Sequence, residues 1–136
     1  MNSRGLRNYN PGNIRHSTTR YMGEVPSNDT AFKSFETMAW GYRAMFVLLY
    51  TYQRRYGLNT VETLLARYAP ANENNTAAYV ASVVKQSGVA PDELVNTLQG
   101  DTMIPIVAAM SRVENGVPAV MADVRDGWEL FLKHRP

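Results

Sequence analysis

From Met38 onward the apolar positions recur every three to four residues, so the chain reads as a succession of short helices. Met45, Leu48, Leu49, Tyr52 and Tyr56 share one face, while Arg43, Arg54 and Arg55 fall mostly off it; Gly57 supplies the stop. A second helix is expected from an N-cap at Asn59 or Thr60, with Glu62 in its first turn, through Leu64, Leu65 and Tyr68 to Pro70. A third follows the Asn-rich stretch 72–76 and carries Tyr79, Val80, Val83 and Val84 to Gly88. Pro91, Asp92 and Glu93 read as the first turn of a short fourth helix that faces Leu94, Val95 and Leu98 inward and closes at Gly100. A fifth begins at Asp101 or Thr102, takes Pro105 in its first turn, buries Ile106, Val107, Met110 and Val113, and ends at Asn115-Gly116. The last, roughly 119–133, offers Val120, Val124, Trp128, Phe131 and Leu132.

The first third has no such period. Gly5, Asn8, Asn10, Pro11, Gly12 and Asn13 crowd together, which predicts irregular structure with one short strand or hairpin. The alternation over 30–35 breaks at Phe35 and is too ragged to define a strand. The expected fold is therefore mainly α: a compact orthogonal helical bundle with an irregular N-terminal lobe, in one domain spanning 1–136. With 45% apolar residues, 136 residues suffice for one core, whereas two domains would each be marginal.

Composition narrows the chemistry. The chain has no Cys, and His16 and His134 lack metal-ligand spacing, so no disulfide, thiolate, metal or cofactor is expected. A net charge of +2 with a pI near 9.0 suits loose attraction to an anionic polymer, but no basic stripe or motif marks a nucleic-acid partner. The first nine residues hold no secretory signal, and no apolar run is long enough for a membrane span. A protein acting outside the cytoplasm would then need a pore, a virion or a secretion machine to carry it. Two Asn-x-Thr sequons, at Asn28 and Asn74, have no consequence without such a signal.

Three segments stand out: Arg4-Gly5-Leu6-Arg7-Asn8-Tyr9-Asn10-Pro11-Gly12-Asn13-Ile14-Arg15, then Tyr68-Ala69-Pro70-Ala71-Asn72-Glu73-Asn74-Asn75-Thr76, then Val113-Glu114-Asn115-Gly116. In this order they resemble a family of small phage and prophage proteins, often described only as virion structural proteins, that are thought to degrade peptidoglycan. Phe32, Phe35, Gly41, Arg43, Ala44, Tyr52, Gly57 and Thr60 also fall in that family's order, so the resemblance spans nearly the whole chain. Tyr21 departs from it, standing where Trp is usual, as does Ala119, where an aromatic is common. The Glu114 segment is similar to the helix end of lysozyme-like enzymes, where a Glu before a small residue and Gly faces the cleft. That implies a lysozyme-like domain, and the late place of this helix implies a circularly permuted order.

Physical chemistry supports the same residue. Cleaving a glycosidic bond needs a carboxylic acid still protonated near neutral pH. Glu114, in a last helical turn beside Val113, meets the negative end of the dipole and a desolvating environment, both of which raise its pKa. Spacing alone also allows a solvated Glu before an Asn-Gly stop. Glu24, Asp29, Glu73 and Asp123 are candidates for a second carboxylate, with Asp29 and Glu73 foremost; Glu73 reads equally as a helix N-terminal acid.

Asn8, Asn10, Asn13 and Arg15 offer donors suited to N-acetyl groups and carboxylates, or alternatively turn chemistry. Asn72, Asn74, Asn75 and Thr76 carry the same ambiguity with helix capping. Among Tyr21, Trp40, Tyr42, Tyr68 and Tyr79, only Tyr68 is expected in a cleft; the others read as core. The expectation is a monomeric glycoside hydrolase or lytic transglycosylase acting on peptidoglycan strands, carried in a virion or made in the host cytoplasm before release to the wall. The rival is a non-catalytic virion or wall-binding module using the same loops.

Overall fold

The computed structural model describes residues 2–136. Among the described residues six helices and one two-stranded sheet follow in order: α1 (Arg4–Arg7), β1 (Glu24–Val25), β2 (Ser34–Phe35), α2 (Met38–Tyr56), α3 (Val61–Tyr68), α4 (Thr76–Ser87), α5 (Gly100–Asn115) and α6 (Met121–Lys133). The fold is mainly α, with an irregular N-terminal lobe.

Local chemistry explains the helix ends. Thr37 caps α2 through its side chain, and Thr60 and Thr63 form a reciprocal capping box on α3. Asn75 caps α4 by accepting from the Ala78 amide. Gly57, Gly88 and Gly116 each follow a helix in the left-handed conformation, as their places in the sequence predict. α5 starts at Gly100, so Pro105 lies in its second turn rather than its first. α6 starts at Met121, two residues later than expected.

The helix expected after Pro91 is absent. The segment instead adds its backbone to neighbouring elements: Thr60 and Leu94 form a bridge, and the Val95 amide donates to the Asn59 carbonyl at 2.8 Å. The Gln53 side chain clamps it further, donating to Val95 O and accepting from the Thr97 amide and hydroxyl. Only Val95 of the three apolar residues expected inside is buried; Leu94 is 74% exposed and Leu98 39%. First-turn signals were present, but the backbone found stronger non-local partners.

The core runs between α2, α5 and α6. Phe46, Tyr50, Trp128 and Phe131 form an aromatic cluster in which α6 lies along α2. Gly127 makes that approach possible: a Cβ there would stand 2.5 Å from Tyr42 Cβ and 3.0 Å from the Ala39 carbonyl. Leu64, Leu65, Val83, Met103, Ile106, Val107 and Met110 extend the packing under α3, α4 and α5.

The hairpin in the N-terminal lobe pairs Glu24 with Phe35 and Val25 with Ser34 in antiparallel register. Its anchor is Lys33, only 1% exposed, whose Nζ contacts both carboxylate oxygens of Glu24 at 3.0 and 3.1 Å and the Thr19 carbonyl at 2.9 Å. A buried ammonium persists because its charge is paired and its donors are engaged. Asn10 is also fully buried, with its amide bonded to the backbones of Ile14 and Lys33.

Candidate functional site

α5 carries Glu114 in its last turn, and the Asn115 beside it ties that helix end to the N-terminal loop. The Asn115 amide donates to the Pro11 carbonyl at 2.8 Å, and its oxygen accepts from the Ser3 hydroxyl at 2.6 Å. Gly5 leaves the space for this junction, since a Cβ there would lie 2.6 Å from Asn115 Oδ1 and 2.7 Å from Asn13 Oδ1. Asn13 adopts φ 49°, a left-handed conformation that Asn tolerates, and its Nδ2 reaches Glu114 Oε1 at 2.9 Å. From the other side, the Tyr79 hydroxyl of α4 donates to Glu114 Oε2 at 2.9 Å.

Burial is the main influence on this carboxyl and raises its pKa above the ordinary 4.5, while the hydrogen bonds from Asn13 and Tyr79 and the charge of Arg15 pull the other way. The helix C-terminus adds to the upward pressure. Tyr79 and Tyr68 are themselves held well above the usual phenol range by burial and by the Glu114 charge, so both stay protonated.

Beside Asn13 opens a cavity of about 280 Å³ whose walls include Arg15, Tyr21, Tyr52, Tyr68 and Glu73. Tyr68 is held there by donating its hydroxyl to the Gly12 carbonyl at 2.6 Å. Arg15 and Glu73 face each other across the rim at 3.8 Å, both largely solvated. The structure thus brings together Glu114, Asn13, Arg15, Tyr68 and Glu73, drawn from all three sequence segments.

The other candidates sit elsewhere or are occupied. Arg4 binds Asp29 through two 2.6 Å hydrogen bonds, and the amides of Ala31 and Phe32 also donate to Asp29. Arg4 and these amides hold the Asp29 carboxyl far below the usual carboxylate range. Asn8 contributes a further bond to Asp29 and accepts from Ser34, so its amide serves the lobe. Asn10 has no surface to offer a ligand. Glu24 is committed to Lys33, and Asp123 lines a separate small cavity with Leu6, Met38 and Tyr42. Asn75 caps α4, the Thr76 hydroxyl donates to the Ala69 carbonyl, and Asn72 is exposed on the turn beside Glu73.

Of the remaining aromatics, Tyr42 bonds Ser111 in the core and Trp40 packs on His134. Sequence reasoning missed Tyr79 as the second partner of Glu114. Its place on the inward stripe of α4 gave only a core residue, and a hydroxyl at the end of a buried ring has no periodic signature. Among the described residues, no group of three or more His, Cys, Asp or Glu is placed to hold a metal ion. No helix of the described residues is long and apolar enough to cross a membrane.

No protein-family model matches the chain. Over 132 residues it is 34% identical to Protein P5 of Pseudoalteromonas phage PM2, an alignment spanning 93% of this chain and 81% of that protein.

Proposed function

The chain belongs to the family of Protein P5 of that phage, and from the surroundings of Glu114 we propose that it is a lysozyme-like peptidoglycan hydrolase with Glu114 as general acid. The observation that carries this reading is the environment of Glu114: a carboxyl in the last turn of α5 whose burial raises its pKa, held in place by Tyr79 and by Asn13, which itself lines an open cavity. Such an acid donates its proton to the leaving glycosidic oxygen as the bond breaks.

Glu73, on the rim of the cavity, is the carboxylate assigned to orient water or stabilise the positive charge that develops on the sugar. Arg15 offers a guanidinium to carboxylates of the polymer, and Tyr68 walls the cleft. The protein acts as a monomer, within a virion or released from the host cytoplasm to the wall.

Glu114→Gln tests the assignment. The variant is expected to fold and to release no sugar fragments from purified wall, while mass analysis of the wild-type digest identifies the bond cut and separates hydrolysis from transglycosylation. Full activity in the variant would refute the role of Glu114.

One observation favours the rival, a non-catalytic wall-binding module: both Glu114 oxygens are already hydrogen-bonded, as in a purely structural carboxylate. Wild-type protein retained on wall without releasing fragments would establish that reading instead.

A further inference from the structure

Next to the cavity beside Asn13 lies a second one, of about 690 Å³, whose walls include Tyr52, Tyr56, Leu58, Thr63, Arg67 and Pro70. Tyr52, Arg67 and Pro70 also line the first, so the two form one trench, at whose near half stands Asn13, the residue whose amide holds Glu114.

The chemistry of the far half differs from that of the near half. The Arg67 guanidinium stands 3.7 Å over the Tyr56 ring and 5.3 Å from the centre of the Tyr52 ring, a stacked arrangement that orders the side chain without using up its donors. None of the ion pairs among the described residues involves it, and no Asp or Glu lines this half. The far half of the trench therefore holds a positioned cation with no carboxylate on its walls, while Glu73, in the near half, faces Arg15.

A neutral sugar is poorly served here. The Thr63 hydroxyl is already engaged with Thr60, and Leu58, Ala66 and Pro70 offer no side-chain donors, which leaves the two phenols and Arg67. A short branch bearing small apolar groups and a carboxylate fits better, because its apolar part meets Tyr52, Tyr56 and Leu58 while Arg67 takes the carboxylate in a bidentate pair.

We propose that this far half of the trench binds the carboxylate-bearing peptide branches of the wall polymer, and so directs the protein to strands that carry them. The proposal rests on the peptidoglycan reading above and assigns a different part of the molecule.

The test is calorimetric binding of two soluble wall fragments to the full chain: a disaccharide carrying its peptide branch, and the same disaccharide without it. Wild-type protein is expected to bind the branched fragment about tenfold more tightly, the scale of one charge-assisted bidentate contact. Arg67→Gln, a change at an exposed position, is expected to erase that preference, so that the variant binds the branched and the bare fragment with equal affinity. Equal affinity of wild type for both fragments, no binding of either, or a preference that survives Arg67→Gln would overturn the proposal. A preserved preference in a protein that releases no fragments from whole wall would support the trench and refute the glycosidase reading, so the two failures are distinct.

Discussion

The phenol of Tyr79 donates to Oε2 of Glu114 at 2.9 Å, so a residue of α4 fixes the orientation of a carboxyl on α5. This bond favours the ionised carboxylate and therefore works against the burial that raises its pKa. Tyr79→Phe removes the donor and leaves the ring in place. The pKa of Glu114 is expected to rise further, and the descending limb of the pH profile of wall clearing to move to higher pH. Stability should fall by about 1 kcal/mol, the usual scale of one hydrogen bond. An unmoved limb would show that Tyr79 does not tune the acid.

Glu114 also links stability to pH. Its folded pKa lies above its ordinary value of 4.5, so the folded state binds the proton more tightly than the unfolded one. The contribution is complete below that value and is lost as pH rises through the folded pKa. Thermal melts of Glu114→Gln are expected to lose less stability than wild type as pH rises from the acid range to neutral. Parallel curves for the two proteins would contradict the raised pKa.

Asp29 has the opposite sign. Arg4 and the amides of Ala31 and Phe32 hold its carboxyl below the ordinary 3.8, so its contribution is present above that value and is lost as pH falls through the lowered one. Asp29→Asn is expected to lower the melting temperature at neutral pH and to speed hydrogen exchange at the Ala31 and Phe32 amides. The gap from wild type should narrow in acid below the ordinary value.

Gly5→Ala probes the junction itself. The added methyl meets Asn115 Oδ1, Asn13 Oδ1 and the Asn10 carbonyl, all within 2.8 Å, and the backbone carbonyl has little freedom to move. Overpacking of this kind costs about 1–3 kcal/mol. Because the displaced side chains include the one that holds Glu114, wall clearing should fall more than stability alone explains, as measured at a temperature where the variant remains folded.

The sequence made the helices of the C-terminal two thirds readable because their ends are written locally. Thr37, Thr60 and Asn75 cap through their own side chains, and Gly57, Gly88 and Gly116 stop the helices they follow. α1 escaped notice because four residues give no period. The segment after Pro91 misled because its partners, Asn59 and Gln53, lie more than thirty residues upstream.

The site was legible to the extent that single residues carry chemistry. Glu114 stood out through the family resemblance of its segment, since a place in a last turn fits a solvated residue as well. Asn10 and Asn13 looked alike in sequence, yet one lies inside the lobe bonding backbone and the other grips Glu114, a distinction that only the turn geometry makes. Asp29 resembled a catalytic acid and proves to be clamped by Arg4.

Asn13 and Glu114 lie 101 positions apart in the chain, yet they touch. During synthesis the amide emerges from the ribosome long before its partner, and the pair closes only once α5 has been made and docked. A prematurely terminated product or an early proteolytic fragment therefore carries one half of the pair without the other, and a cell making this protein meets the assembled centre only in finished copies.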